Sequence, residues 1–342
     1  MTNESRIFDK NRRKYRILLS AGIVLCAAVF ILSLCLGNYG TSLPDVINAF
    51  LHPDQYPQIH NILLRSRLPR VLAAVFVGAA LSASGMVYQD LFANRMASPD
   101  VLGVSAGAGV GASIPIFYGL SFSLVSLFSF LGGIISVSLT IITSRLFENK
   151  EKGSGSLILS GIVIGGLMNS LLGIFKYLAN DAQLSTITFW LLGGFSKVEW
   201  NALMIVCPVV AVCLTMLFLL RWKIVMLRNG DEDARTHGID AKRLRGICIV
   251  LATVITAVSV CISGTIGWIG LAIPNLMRLL VRNDGKWMLP LSIVYGMFFT
   301  ELCDLLARTI TNTEIPVGIL SGILGAGMFI VVLFVQMKKE KS

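Results

Sequence analysis

The sequence predicts an all-α polytopic membrane protein of about ten transmembrane helices with both termini cytoplasmic, and three observations predict it. Of its 342 residues, 55% are hydrophobic and 14% charged. A soluble globular protein carries about 25% charged residues, so this chain cannot cover a water-facing surface with polar groups. Apolar runs of roughly 20 residues, the length that crosses a bilayer, recur from one end to the other. Basic residues gather beside alternate runs, and with ten spans threaded every strongly basic interior loop falls on one side, as the positive-inside rule requires. Ten spans with short loops leave no room for a separate soluble domain, so residues 1–342 read as one transmembrane domain.

Arg6, Lys10, Arg12, Arg13, Lys14 and Arg16 place residues 1–16 in the cytoplasm as a tail. The apolar run Ile17–Leu36 follows. It is long for a signal-peptide core and no A-x-A pattern follows it, so it reads as the first permanent span. The polar stretch to about Arg65 is then outside, and its Val46, Ile47, Phe50 and Leu51 suggest a short surface helix. The second span, about Val71 to Tyr88, returns to a polar cytoplasmic turn running from Gln89 to Asp100. Spans at about 101–118 and 121–144 lead to the cytoplasmic segment Glu148-Asn-Lys-Glu-Lys152. A fifth span at about 157–178 reaches an outer loop at Asn180-Asp181, and Ser185–Phe195 reads as a short outer helix. A sixth, about 201–220, enters the longest internal polar segment, 221–245, rich in arginine and lysine and therefore cytoplasmic. Spans at about 246–263, a shorter glycine-interrupted one at 266–281, then 289–307 and 317–336 complete the chain, with Glu314-Ile-Pro316 in an outer turn.

The net charge of +10 lies in these cytoplasmic clusters, with no basic patch interleaved with aromatics, which argues against a nucleic-acid partner. The lipid bilayer is the expected partner of the surface. The seven cysteines form no C-x-x-C pair and read as small buried hydrophobes. His52, His60 and His237 have no metal-ligand spacing, so no metal site is expected. Gly103-Val-Ser-Ala-Gly107-Ala-Gly109 lacks the Gly-Lys-Ser/Thr of a phosphate loop and a βαβ setting. No nucleophile elbow or HExxH is present, so no catalytic residue is expected. Ionisable residues inside spans are scarce, with Glu301 and Asp304 both in the ninth. Ion-coupled transporters need such residues, and their shortage points to an energy source outside the chain. Gly103, Gly107 and Gly111, Gly161 and Gly165, and Gly318 and Gly322 repeat at four-residue spacing, which puts small stripes on helix faces where backbones can approach closely.

Several segments resemble one family. Arg67-Leu-Pro-Arg70, Gly78-Ala-Ala-Leu-Ser-Ala-Ser-Gly85, Gln89 and Ser98-Pro-Asp100-Val-Leu-Gly103 are similar to the N-terminal signature of the permeases of iron-siderophore and vitamin B12 ABC importers. Trp190-Leu-Leu-Gly193-Gly194-Phe195, the run from Ser263 to Arg278, Asp304-Leu-Leu-Ala-Arg308 and Glu314-Ile-Pro316-Val-Gly318 resemble its later parts. The likeness spans about residues 20–336 in the family's order. Asn94-Arg-Met-Ala97 and Pro274-Asn275 depart from the usual Asn-Pro-Leu-Ala and Pro-His.

The resemblance implies a type II ABC importer permease in the bacterial plasma (inner) membrane. It also implies a second permease subunit, identical or similar, two separate ATPase subunits and an external substrate-binding protein. ATP and magnesium would bind the ATPase partners, and this chain would need no cofactor. The implied cargo is a ferric siderophore, with vitamin B12, haem or another metal chelate as alternatives; an ion-coupled secondary transporter is the alternative of another class. Arg67, Arg70 and Arg308 occupy the family's binding-protein docking positions at the outer rim, where a guanidinium offers bidentate carboxylate recognition; interfacial snorkelling is the other reading. Gly230, Asp231, Glu232, Ala234, Arg235 and Gly238 match its ATPase-coupling loop, read as a short helix stopped at Gly238. Ser154 and Gly155 match its inner gate, although a flexible turn reads equally well.

Overall fold

The computed structural model describes residues 3–37, 40–147, 155–281, 285–311 and 313–340, and among these the regular structure is helical throughout. Fourteen α-helices follow in chain order. The first seven are α1 (Asn3–Cys35), α2 (Leu43–Leu51), α3 (Pro57–Ile62), α4 (Leu68–Leu91), α5 (Val104–Phe117), α6 (Phe122–Phe147) and α7 (Gly155–Leu178). The others are α8 (Asp181–Leu192), α9 (Trp200–Asn229), α10 (Asp231–Thr236), α11 (Ala241–Ser263), α12 (Ile269–Val281), α13 (Gly285–Thr309) and α14 (Val317–Glu340). A π-helical turn at Leu63–Arg67 joins α3 to α4 into one apolar rod, and a 3-10 turn at Pro99–Leu102 precedes α5.

Eight helical stretches among the described residues are long and apolar enough to cross a membrane, and α5 and α12 are two shorter apolar helices. Each predicted span falls on one of these ten. At about 1.5 Å per residue, α5 and α12 reach only about 20 Å, short of the roughly 30 Å hydrocarbon layer. Gly103 starts α5 with φ +76°, a left-handed turn that favours glycine. The irregular stretch before α12 contains Gly264 at φ +66° and Trp268 at φ +70°. Such backbone survives at membrane depth only when protein satisfies it. Here Gly194 N–H donates to Ser263 O at 2.7 Å, and the Thr265 hydroxyl donates to Leu191 O.

Burial separates pillars from periphery. In the α3–α4 rod 83% of the apolar centre is buried, and in α11 78%, whereas in α1, α7 and α9 the share is 22%, 28% and 28%. Ile162, Met204, Ile205 and Phe334 face outward, an apolar exterior that suits a lipid setting. α4 runs through the middle against α13, α11, α12 and α9. Small residues permit this. A Cβ on Gly85 would lie 1.9 Å from the carbonyl oxygen of Gly270, and one on Gly107 would lie 2.4 Å from that of Gly132. The sequence's glycine stripes are thus places where backbones touch, and dispersion replaces the absent hydrophobic drive. Buried hydroxyls tie α4 to its other neighbours: Tyr88 to Thr253 of α11 at 2.8 Å, and Ser82 to Ser292 O of α13 at 2.7 Å.

The predicted surface helix is α2, closed by a reciprocal cap between Ser42 and Asp45 whose hydrogen bonds hold the Asp45 carboxyl below the usual carboxylate range. The outer helix expected at 185–195 starts earlier, as α8 at Asp181. Asn180 and Gln183 form the same reciprocal cap there. Gly85→Val should lower the unfolding temperature in detergent, overpacking costing about 1–3 kcal/mol. Gly166→Ala, a helical position with nothing within 4 Å of the added carbon, should be neutral or slightly stabilising.

Candidate functional site

The three arginines assigned to the outer rim converge at one end of α4, and the structure corrects their surroundings. Arg67, Arg70 and Arg308 are 5%, 7% and 6% exposed, so they are not a free rim. Arg70, in the first turn of α4, donates through Nε to Asp304 Oδ1 at 2.9 Å and through Nη1 to both oxygens of Glu314 at 2.8 and 2.9 Å. Arg308, one turn after Asp304 on α13, pairs with Asp304 Oδ2 at 3.2 Å and donates to Ser33 O and Leu36 O. Arg67 donates to Leu34 O, to Cys35 O at 3.1 Å and to the Thr41 hydroxyl at 2.7 Å. The physical reason is plain. The last carbonyls of α1 have no intrahelical donors, and cations at a helix C-terminus satisfy them and complement its dipole. Arg67 and Arg308 do this, and Asp304 offsets the charge of Arg70 and Arg308. The cluster therefore clamps α1, α4 and α13 together, with Glu314, 37% exposed at its side chain, as its outermost member. A cavity of about 420 Å³ opens beside it, lined by Arg70, Glu314, Phe122, Phe189, Trp190 and Lys197.

Glu301, a turn below Asp304, is buried and accepts from the Cys26 thiol of α1 at 3.1 Å. Among the described residues no group of His, Cys, Asp and Glu could hold a metal ion.

On the opposite side, α9 ends at Asn229 because Gly230 takes φ +124°. The long helix thus reaches nine residues into the segment predicted as the cytoplasmic loop from 221. α10 follows as a short separate helix. It stops where Gly238 takes φ +72°, donating its N–H to Arg235 O at 2.9 Å. Asp231 opens the helix, Glu232 and Arg235 are exposed, and Ala234 is fully buried and packs into the core. Asp240 then caps α11 by accepting from Arg243 N–H at 3.1 Å. The result is a single turn-and-a-half of helix, glycine at both ends, anchored by one alanine and presenting charge outward.

Of the expected inner gate, Ser154 lies outside the described residues, and Gly155 is the first residue of α7. Beside it the buried hydroxyls of Ser144 and Ser156 meet at 3.0 Å, tying the end of α6 to the start of α7.

Sequence reasoning placed Gln89 and Asp90 in a polar turn and Arg278 near the end of a short span. All three are buried, at 2%, 0% and 6% exposure. Arg278 Nη2 donates to Asp90 Oδ1 at 2.8 Å, and Gln89 Nε2 donates to Gly270 O at 3.2 Å. Composition gives no sign of this, since a charge at the end of an apolar run looks the same whether it faces headgroups or another helix.

Asp304→Asn should destabilise the chain by about 3–5 kcal/mol, because removing one partner leaves buried guanidinium charge uncompensated. Glu314→Gln should cost less, its side chain being partly in solvent. Thermal unfolding of the two variants in detergent checks the order.

Comparison with known proteins agrees with this architecture. Residues 25–335 match the model of the FecCD transport family. The chain is 35% identical over 325 residues to the "Probable iron chelatin transport system permease protein" of Helicobacter pylori, covering 94% of this chain and 98% of that one. It is 32% identical over 329 residues to the molybdate import system permease protein MolB of Haemophilus influenzae, covering 94% and 96%. Among solved structures, a metal-chelate type ABC transporter in an inward-facing conformation superposes with a TM-score of 0.84 at 31% identity, over 93% of this chain and 99% of that one. The chain therefore belongs to the FecCD transport family, and it is a polytopic ABC importer permease of the bacterial inner membrane.

Proposed function

We propose that the chain forms, with a second permease subunit, the pathway for a ferric siderophore or similar iron chelate. An external binding protein hands the chelate over, and two separate ATPase subunits drive the cycle and bind the ATP and magnesium. The observation that carries the mechanism is α10: a short helix isolated by Gly230 and Gly238 on the side of the basic loops, with Ala234 buried and Glu232 and Arg235 free to meet a partner. A rigid element on glycine joints transmits a push with little distortion of its own. Gly230, Asp231, Glu232, Ala234, Arg235 and Gly238 are assigned this coupling role, and Ser154 and Gly155 the inner gate. Arg67, Arg70 and Arg308 are assigned to docking indirectly. They hold the outer ends of α1, α4 and α13 in place, so that the surface around Glu314 keeps its shape for the binding protein.

The siderophore reading rests on the iron chelatin relative, 35% identical over 325 residues. The molybdate relative favours a second reading, a small oxyanion, and haem and vitamin B12 belong in the same test.

Gly238→Pro should uncouple the machine. Proline fixes φ near −65° and lacks the N–H, so neither the φ of +72° nor the bond to Arg235 O survives. In proteoliposomes with the ATPase subunits, stimulation of ATP hydrolysis by the binding protein should fall at least about tenfold, on the order of 1.4 kcal/mol of lost coupling. Unchanged stimulation rejects the coupling role of α10. The cargo is read separately by competing ferric hydroxamate, ferric catecholate, haem, cobalamin and molybdate for the cognate binding protein. Preference for molybdate or cobalamin over both iron chelates rejects the siderophore assignment.

A further inference from the structure

We infer that Asp90 is a positioning residue through which the coupling helix moves the packed centre of the permease. The inference rests on the coupling role of α10 and extends it to a specific mechanical joint. Asp90 lies in the last turn of α4, fully buried. Arg278 reaches it from α12 at 2.8 Å. A second guanidinium approaches from α9: Arg228 Nη1 stands 3.8 Å from the same oxygen, Oδ1. Arg228 is two residues before Gly230, at the point from which α10 hangs. One carboxylate thus collects α4, α9 and α12.

The two arginines are held unequally. The Arg278 pair is a short charge-assisted hydrogen bond. The Arg228 contact is an ion pair without a hydrogen bond, and its Nη1 is buried with no hydrogen-bond partner among the described residues. Asp90 Oδ2 is also buried and without a partner there. A buried donor standing 3.8 Å from one oxygen of a carboxylate whose other oxygen is unpartnered forms an incomplete pair. Leaving such groups unsatisfied is costly, so the geometry favours closure of the Arg228 guanidinium on the Asp90 carboxylate, whose nearer oxygen, Oδ1, now stands roughly 1 Å beyond an ordinary hydrogen bond.

The setting makes this joint the natural route for force. α9 is a peripheral helix, only 28% buried at its apolar centre. α4 and α12 lie inside, and Gln89 donates to Gly270 O at the start of α12. When an ATPase subunit displaces α10, α9 follows as its continuation across Gly230. Arg228 closes on Oδ2 in one state of the cycle and opens in the other, and α4 with α12 takes up the difference.

The experiment uses the full assembly in proteoliposomes, with ATP hydrolysis measured with and without the cargo-free binding protein. Arg228→Met removes the loose partner and leaves the Asp90–Arg278 pair intact, so the chain still assembles. It is expected to lower the stimulation ratio at least about fivefold, and Arg228→Lys is expected to restore part of it, an effect a purely structural loss would not produce. Asp90→Asn combined with Arg228→Met should lose no more than the worse single variant, because residues acting as one pair are not additive. A wild-type stimulation ratio in Arg228→Met, or losses that multiply in the double variant, overturns the joint. If Gly238→Pro uncouples while Arg228→Met does not, the joint alone fails. If neither changes the ratio, the coupling role of α10 fails with it.

Discussion

A charge placed in a bilayer has to find its counter-charge within the protein, and this constraint shapes the chain more than any apolar pattern does. The buried ion pairs sit at the two ends of one helix. Arg70 opens α4 and meets Asp304 and Glu314; Asp90 closes it and meets Arg278 and Arg228. Twenty residues separate Arg70 from Asp90, or about 30 Å of helix, which is about the thickness of the hydrocarbon layer. The ionic clusters therefore mark where α4 leaves the apolar slab on either side. Between them the helix is nearly continuous small and apolar residues, from Val71 to Tyr88.

That middle portion needs no charge because its contacts are backbone to backbone. Gly85 against Gly270 and Gly78 against Gly296 leave no room for a Cβ, Ser82 bonds across the α13 seam, and Tyr88 and Ser84 bond across to α11. Close approach also explains how two short helices and an unwound stretch are tolerated at membrane depth. α5 and α12 do not cross the slab alone, but neighbours bury them and satisfy their ends. Irregular backbone in such a chain is an internal surface, and in a permease internal surfaces are where a pathway can open.

Much of this was legible in the sequence for reasons that can be stated. The ten apolar runs announced themselves by length, and the basic clusters oriented them. Gly238 closes α10 because a glycine after a short charged run is a helix stop. The start of α8 at Asp181 is also legible, in the Asn180-x-x-Gln183 spacing of a reciprocal cap, although the polarity of Asn180 and Asp181 suggests a loop. The burial of Arg67, Arg70, Arg278, Arg308 and Asp90 was not legible. Each lies near the end of an apolar run, where an arginine facing headgroups and an arginine facing another helix's carbonyl oxygens have the same neighbours in sequence. What separates them is a partner on another helix, 33 residues away for Arg67 and Leu34 and 188 for Asp90 and Arg278, and linear periodicity carries no information about that.

The contrast between pillars and periphery then bears on how a chain without its own energy source can move. A helix buried along most of its length, as α4 and α11 are, cannot shift without disturbing every neighbour, since protein interiors are close-packed and transmit strain. A helix facing lipid along most of its length, as α9 is, slides against a fluid at small cost. Force applied at α10 is therefore not dissipated by α9 but passed to whatever fixed contacts α9 makes. Apolar contacts between smooth helix faces slip, whereas a directional ion pair holds its register. The mechanical consequence of burying charge at both ends of α4 is that the central helix can be gripped from either side of the membrane, by α13 and the outer turn above and by α9 and α12 below.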